Sequence, residues 1–448
     1  MTTVTRVRSL SGLILLIVLA IFLAACGAGT PAATSPTSAP PTSAPPTSAP
    51  PTSAPPTSVP PTSTPPAVAT VLPTVQPVQP TQAPTTTDLN PDYLLFGVVA
   101  HLYYTDRERV LQLTQNAGFD WVRQQIYWRD IEDPDKGIFA WDEIDPIVAT
   151  VNAYGRKLLV NVVRSPTAYS ATNGLPDDPE DFANFMAVLA ERYKGKIHAY
   201  EVWNEPNLAH ETGGTITPAD VGRYVEMLKL AYTRIKAIDP DALVLAAASS
   251  SSGVTNPSIA LSDEEFYRAM YTYNGGEARD YFDIQAVHPG GAANPPDTLW
   301  PDNPSYIVGC KPAPDRCWND HPTHYFRHIE NVRTWMEEYG MDDKEIWITE
   351  YGWATPNVSP GYEFGNFVSL EQQADYITGA IRLTYENYPF VGNLFLWNMN
   401  FAVTKAENGL DPNHEQGSFA ILNPDWSPRP SYLAIQSLIA ELKQREGR

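Results

Sequence analysis

Cysteine is scarce, with three in 448 residues, so at most one pair and one singleton are possible and a disulfide-dense scaffold is excluded. Positive charge is also short: 30 Lys and Arg stand against 51 Asp and Glu, and two of the 30, Arg6 and Arg8, lie at the N-terminus. All the acidic residues lie at or beyond Asp88. Such a surface repels a polyanion, which excludes nucleic acid as a partner, but it does not repel a neutral polymer. No charged residue of either sign occurs between Gly27 and Thr87. No glycine-rich phosphate fingerprint follows the first apolar run of the globular part, which disfavours nucleotide binding and phosphate-binding metabolic barrels.

What is present begins with a leader. Arg6 and Arg8 precede an apolar run from Leu10 to Leu23 that is too short and too close to the start for an ordinary spanning helix, so residues 1–25 read as an export signal. The run closes in Leu23-Ala24-Ala25-Cys26-Gly27, which resembles the bacterial lipobox. That resemblance implies lipidation of Cys26 and a membrane anchor; an uncleaved anchor or a plain signal ending near Ala25 is the alternative, and each places the rest outside the cytoplasm. Residues 26–90 form a Pro/Thr/Ser-rich disordered linker in which PTSAP recurs in tandem. Polyproline II geometry, at about 3.1 Å per residue, gives some sixty such residues a reach of roughly 100 to 190 Å.

From residue 91 to 448 the texture changes to short apolar runs alternating with amphipathic stretches, the pattern of βα repeats. Eight runs are expected to be strands: 94–100, 121–126, 157–163, 198–204, 242–248, 282–288, 345–350 and 393–399. Helical stretches fall between them, among them Glu108 to Ala117, Asp181 to Tyr193, Pro218 to Ile238 and Ser369 to Asn387. Eight strand-then-helix units predict an α/β fold, a (β/α)8 TIM barrel, expected as a monomer.

A barrel of this kind does its chemistry at the C-terminal ends of its strands, so polar residues that close an apolar run are the candidates. Run four closes in Trp203-Asn204-Glu205-Pro206-Asn207, and run seven in Thr349-Glu350-Tyr351-Gly352-Trp353. Two carboxyls facing each other about 5 to 5.5 Å apart are what a retaining glycosidase requires, one protonated to assist the leaving oxygen and one ionised to attack. Burial is expected to raise the pKa of the acid, and cationic neighbours such as Arg123 are expected to keep the other ionised.

These motifs resemble clan A of the glycoside hydrolases, whose members carry Asn-Glu on strand four and Glu on strand seven. Residues 118–141, GFDWVRQQIYWRDIEDPDKGIFAW, are similar to the segment after strand one in family 39, family 5 and family 42 enzymes. The resemblance implies Glu205 as acid/base, Glu350 as nucleophile, Asn204 on the sugar 2-hydroxyl, Arg123 behind the nucleophile, and Trp397 as a sugar platform. It implies hydrolysis of β-linked glycosides with no metal and no organic cofactor, on a carbohydrate substrate. His288 closes run six where such enzymes often place a histidine, yet Gly290 stands where a tyrosine commonly bonds the nucleophile; either another group such as Tyr351 supplies that bond or the site is tuned differently. His101, closing run one, is a further substrate-site candidate, and Tyr103, Tyr127, Trp128, Trp203 and Trp353 are aromatic candidates for the rim.

The segment Pro289 to Pro322 is too long for a routine barrel loop and contains Cys310 and Cys317. In an oxidising compartment these would pair and staple one wall of the cleft; a metal site with His321, His324 and His328 is the competing arrangement. Two rival functions use the same barrel: a non-catalytic carbohydrate-binding surface protein, and a transglycosylase in which an acceptor sugar replaces water.

Overall fold

Each of the eight apolar runs forms a strand of one closed parallel barrel, in the order of the sequence. The computed structural model describes residues 89, 91–133, 135–300, 318 and 320–448. The leader, nearly all of the linker, Cys26, and the pair Cys310 and Cys317 lie outside the described residues. The strands are β1 (Leu95–Val99), β2 (Trp121–Tyr127), β3 (Lys157–Val163), β4 (Ala199–Val202), β5 (Leu243–Ala246), β6 (Ile284–Val287), β7 (Glu345–Tyr351) and β8 (Val391–Leu396). β8 closes on β1 with Leu95 opposite Asn393. Strands covered on both faces bury nearly every residue, which is why they appear as apolar runs and not as alternating ones.

One principal helix follows each strand: α1 (Arg107–Asn116), α2 (Ile144–Ala153), α3 (Pro179–Arg192), α4 (Pro218–Ile238), α5 (Asp263–Thr272), α6 (Ile329–Glu338), α7 (Leu370–Asn387) and α8 (Pro430–Arg445). Their starts follow from local chemistry. Asp106 caps α1 by accepting from the Arg109 N–H. Thr217 and Asp220 form a capping box on α4 with Pro218 in its first turn, and Ser369 and Gln372 do the same for α7. The expected start of α7 at Ser369 is therefore its cap.

Inside the barrel the floor is an aromatic plug. Trp121 meets Trp347 edge-on at 5.0 Å and Phe395 lies 5.9 Å from Trp347, with Leu159, Leu245 and Ile284 filling around them. Gly97 makes room for this plug, since a Cβ there would come 2.3 Å from the Phe395 ring. Above the plug the interior turns polar, beginning with Arg123 and Glu201, both fully buried. The apolar floor thus forces any ligand to enter from the C-terminal mouth.

A second apolar layer lies between strands and helices, and it claims three of the expected rim aromatics. Trp128, Trp203 and Trp353 are fully buried there. Trp128 stacks on Tyr169 at 4.7 Å and on Phe185 at 5.4 Å, and Trp203 meets Phe182 edge-on. None of the three offers a face to a sugar ring; they are packing residues.

Candidate active site

The β4 end turns sharply. Trp203 and Glu205 both have positive φ, +73° and +43°, a region that residues with bulky side chains rarely occupy. Neighbouring strands hold the turn: the Trp203 carbonyl accepts from Asn161 Nδ2 at 2.6 Å, and the Glu205 N–H donates to the Ala248 carbonyl at 3.0 Å. The consequence is a division of labour. Trp203 swings into the outer layer, while Asn204 and Glu205 face the mouth.

β7 reaches the same end by another device. Between its pairings of Ile348 with Leu394 and Tyr351 with Leu396, β7 spends one residue more than β8. This is a bulge, which re-aims side chains. Strict alternation from the inward-facing Trp347 would send Glu350 outward; with the extra residue both Thr349 and Glu350 reach the interior, and Tyr351 is thrown outward. Tyr351 packs against Phe326 in the outer layer, so it does not replace the strand-six tyrosine. Burial alone pushes its phenol up.

Arg123, rising from β2, ties the two strand ends together. Its Nε donates to Glu201 Oε2 at 2.7 Å, Nη1 to Glu350 Oε1 at 2.6 Å, and Nη2 to Asn204 Oδ1 at 3.0 Å. Burial works against its charge, but Glu201 and Glu350 outweigh burial and raise its pKa. His288, just past β6, stands between the carboxylates. Nδ1 lies 3.0 Å from Glu205 Oε1, Nε2 lies 3.0 Å from Thr349 Oγ1, and Glu350 Oε1 is 3.9 Å from Nε2. The five expected residues Asn204, Glu205, Glu350, Arg123 and His288 thus converge.

The Glu205 carboxyl shifts in the direction opposite to the expected one. Burial raises the Glu205 pKa, but the hydrogen bond and charge of His288 outweigh it, and the net shift is downward. Glu350 goes the other way: burial and the charge of Glu205 together exceed the pull of His288 and Arg123. His288 is disfavoured as a cation by burial, yet Glu350 and Glu205 lift it above its ordinary value. Three groups this close titrate as a unit.

Trp397 follows β8, half-buried, with its ring 5.0 Å from Phe401 and its backbone N–H donating to the Tyr351 carbonyl at 2.8 Å. His101 is beside it at one remove, 5.5 Å from Phe401, and its backbone N–H donates to Asn400 Oδ1. Burial, aided by Lys405, lowers its pKa to about 4, so it lines the mouth as a neutral ring without an observed contact to either carboxylate. At Gly290 a Cβ would come 1.9 Å from the Thr323 carbonyl. No tyrosine fits there, because the chain at 321–324 already fills the space.

Three residues near the site escaped the sequence. Glu201 carried a signal, a charge inside the apolar run HAYEVWN, which demands a buried partner. Thr349 carried none. Tyr362 arrives from the loop between β7 and α7; burial and the charges of Glu205, Glu415 and Glu350 push its hydroxyl up to about 12. Among the described residues no group of His, Cys, Asp and Glu is placed to hold a metal. His328 bonds Asp263 at 2.6 Å and His321 bonds Thr323 at 2.9 Å.

Comparison with known proteins fits this geometry. A search of curated proteins finds no match. A family 39 glycoside hydrolase from Bacteroides cellulosilyticus WH2 superposes with a TM-score of 0.57 at 20% identity, covering 79% of this chain and 64% of that one, so the match spans less than two thirds of the relative. GH5_18 from Streptomyces cattleya, solved with GlcNAc, gives 0.56 at 16% identity over 80% and 81%. A glucosidase from Croceicoccus marinus gives 0.54 at 14% identity over 79% and 69%. At these identities the likeness is one of fold. The model of the family described as Cellulase (glycosyl hydrolase family 5) matches residues 86–345, more than half of the chain, and stops at the first residue of β7. The chain therefore belongs to glycosyl hydrolase family 5, and so to the clan A glycoside hydrolases that its strand-four and strand-seven motifs resemble.

Proposed function

We propose that this chain is an exported, lipid-anchored retaining hydrolase of β-linked glycosides in which Glu350 is the nucleophile and Glu205 the acid/base. The observation that carries the reading is the convergence of the two carboxylates on His288, with Glu350 held by Arg123. Asn204, itself fixed by Arg123, binds the sugar 2-hydroxyl, and the half-buried Trp397 serves as a platform. Cys26 supplies the lipid anchor, the linker the distance from the membrane, and residues 289–322 one wall of the cleft.

A sugar entering the mouth expels water, which disfavours the Glu205 carboxylate–imidazolium pair and moves the proton from Nδ1 to Glu205. Glu205 then protonates the leaving oxygen while Glu350 bonds to the anomeric carbon. The resulting ester has no charge, so Glu350 no longer favours the cationic form of His288, which stays neutral. Glu205, now ionised, takes a proton from water, and that water displaces Glu350.

Two outcomes test this. Proton NMR of the first product released from an aryl β-glycoside should show the β-anomer; an α-anomer would mean single displacement and end the proposal. The pH profile of kcat/KM should be bell-shaped. Glu350 must be ionised and its pKa is raised, so activity is lost as pH falls through an acid limb above 4.5. The shared proton is held on a histidine raised above 6.5, so the basic limb lies higher than that. A basic limb below 6.5 would contradict the His288–Glu205 pairing.

A further inference from the structure

The hydrogen bonds behind His288 have a direction. Glu201 is a buried carboxylate on β4 whose Oε2 accepts from Arg123 Nε, and a carboxylate can only accept. Its Oε1 therefore takes the hydroxyl proton of Thr349, at 3.1 Å. With that proton committed, Thr349 Oγ1 can only accept from the nitrogen 3.0 Å away, His288 Nε2. Nε2 must carry a proton, and the variable proton is left to the other side of the ring, between Nδ1 and Glu205 Oε1.

We propose that Thr349, oriented by Glu201, is a positioning residue that keeps a proton on His288 Nε2 and thereby reserves Nδ1 for the proton that Glu205 uses in catalysis. This rests on Glu205 being the acid/base. The chain Glu201–Thr349–His288–Glu205 is buried through its first three members, so no water competes for these bonds and each polarises the next. The other charged and titratable groups facing the pair are Glu350 on β7, Arg123 on β2, His210 beyond the β4 turn, and Tyr362 from the loop between β7 and α7. None of them accepts a hydrogen bond from Nε2: Glu350 stands off at 3.9 Å and Arg123 can only donate.

Removing the acceptor should weaken the hold on the catalytic proton without touching the reacting atoms. Thr349→Val, nearly the same shape, is expected to move the basic limb of kcat/KM down by roughly one pH unit. It should also steepen the dependence of kcat/KM on leaving-group basicity, costing about tenfold more on alkyl β-glycosides than on dinitrophenyl β-glycosides, which depart with little acid assistance. Thr349→Ser should restore both. Independently of any variant, 15N NMR of the wild-type enzyme at its pH optimum should find His288 Nε2 protonated. Equal losses on all leaving groups with an unmoved basic limb, or an unprotonated Nε2 at the optimum, would overturn the proposal. Glu205→Ala measured beside these separates the two readings. If it too affects all leaving groups alike, the acid role of Glu205 fails; if it alone steepens the dependence, only the role of Thr349 does.

Discussion

Glu350→Ala is expected to lower kcat/KM on aryl β-glycosides by on the order of 10⁴-fold or more, because no other group can form the glycosyl-enzyme. The more telling result is chemical rescue. Removing the carboxylate opens a cavity on the face of the sugar that Glu350 would attack, bordered by Arg123 and His288. Azide can enter there and displace the leaving group once, giving an α-glycosyl azide, inverted relative to the substrate. In the proposed roles Glu205 remains to protonate the leaving oxygen, so the rescue should extend beyond the most activated aryl glycosides. Retention of wild-type turnover in Glu350→Ala, or a β-configured azide from it, would remove Glu350 from the nucleophile's role.

The second large effect concerns Arg123. It is fully buried and holds three partners, two of them carboxylates, so Arg123→Met would leave Glu201 with no cation and Glu350 with only His288. Breaking a buried pair from one side costs about 3 to 5 kcal/mol, since the remaining charge stays desolvated. That loss should appear as a lower urea midpoint with an unchanged slope. It should be accompanied by a fall in kcat of about a hundredfold or more, because Asn204 and Glu350 lose the group that orients them. Arg123→Lys should recover only part of either quantity, since a single ammonium cannot reproduce three divergent N–H directions. An Arg123→Met protein as stable as wild type would show that the Glu201 charge is relieved in some other way.

The barrel was legible because its strands are buried on both faces, which writes each of them as a compact apolar run. Glu205 and Glu350 were legible because they end such runs. Which way a side chain points was not. At the end of β4 two left-handed residues, and in β7 one extra residue, break the alternation that would otherwise separate inward from outward positions. Trp203 and Tyr351 were misplaced for that reason, and Trp128 and Trp353 share their fate in the outer layer. Glu201 could have been found by asking what neutralises a carboxylate inside an apolar run. Thr349 and Tyr362 could not, since one is an ordinary strand residue and the other comes from a loop whose path no local pattern dictates. The direction of the Glu205 shift was also out of reach: it depends on a histidine lying 3.0 Å from the carboxyl, a distance and not a motif.

Gly290 has a consequence of its own. Where a tyrosine would separate β6 from the following segment, main chain here abuts main chain, with the Thr323 carbonyl against Gly290 and the Ser251 hydroxyl on the His288 carbonyl two residues earlier. Such a seam has no rotatable spacer to absorb displacement. A force that displaces the chain at Thr323 would therefore be transmitted to Gly290 and, two residues earlier, to the backbone that carries the imidazole of His288.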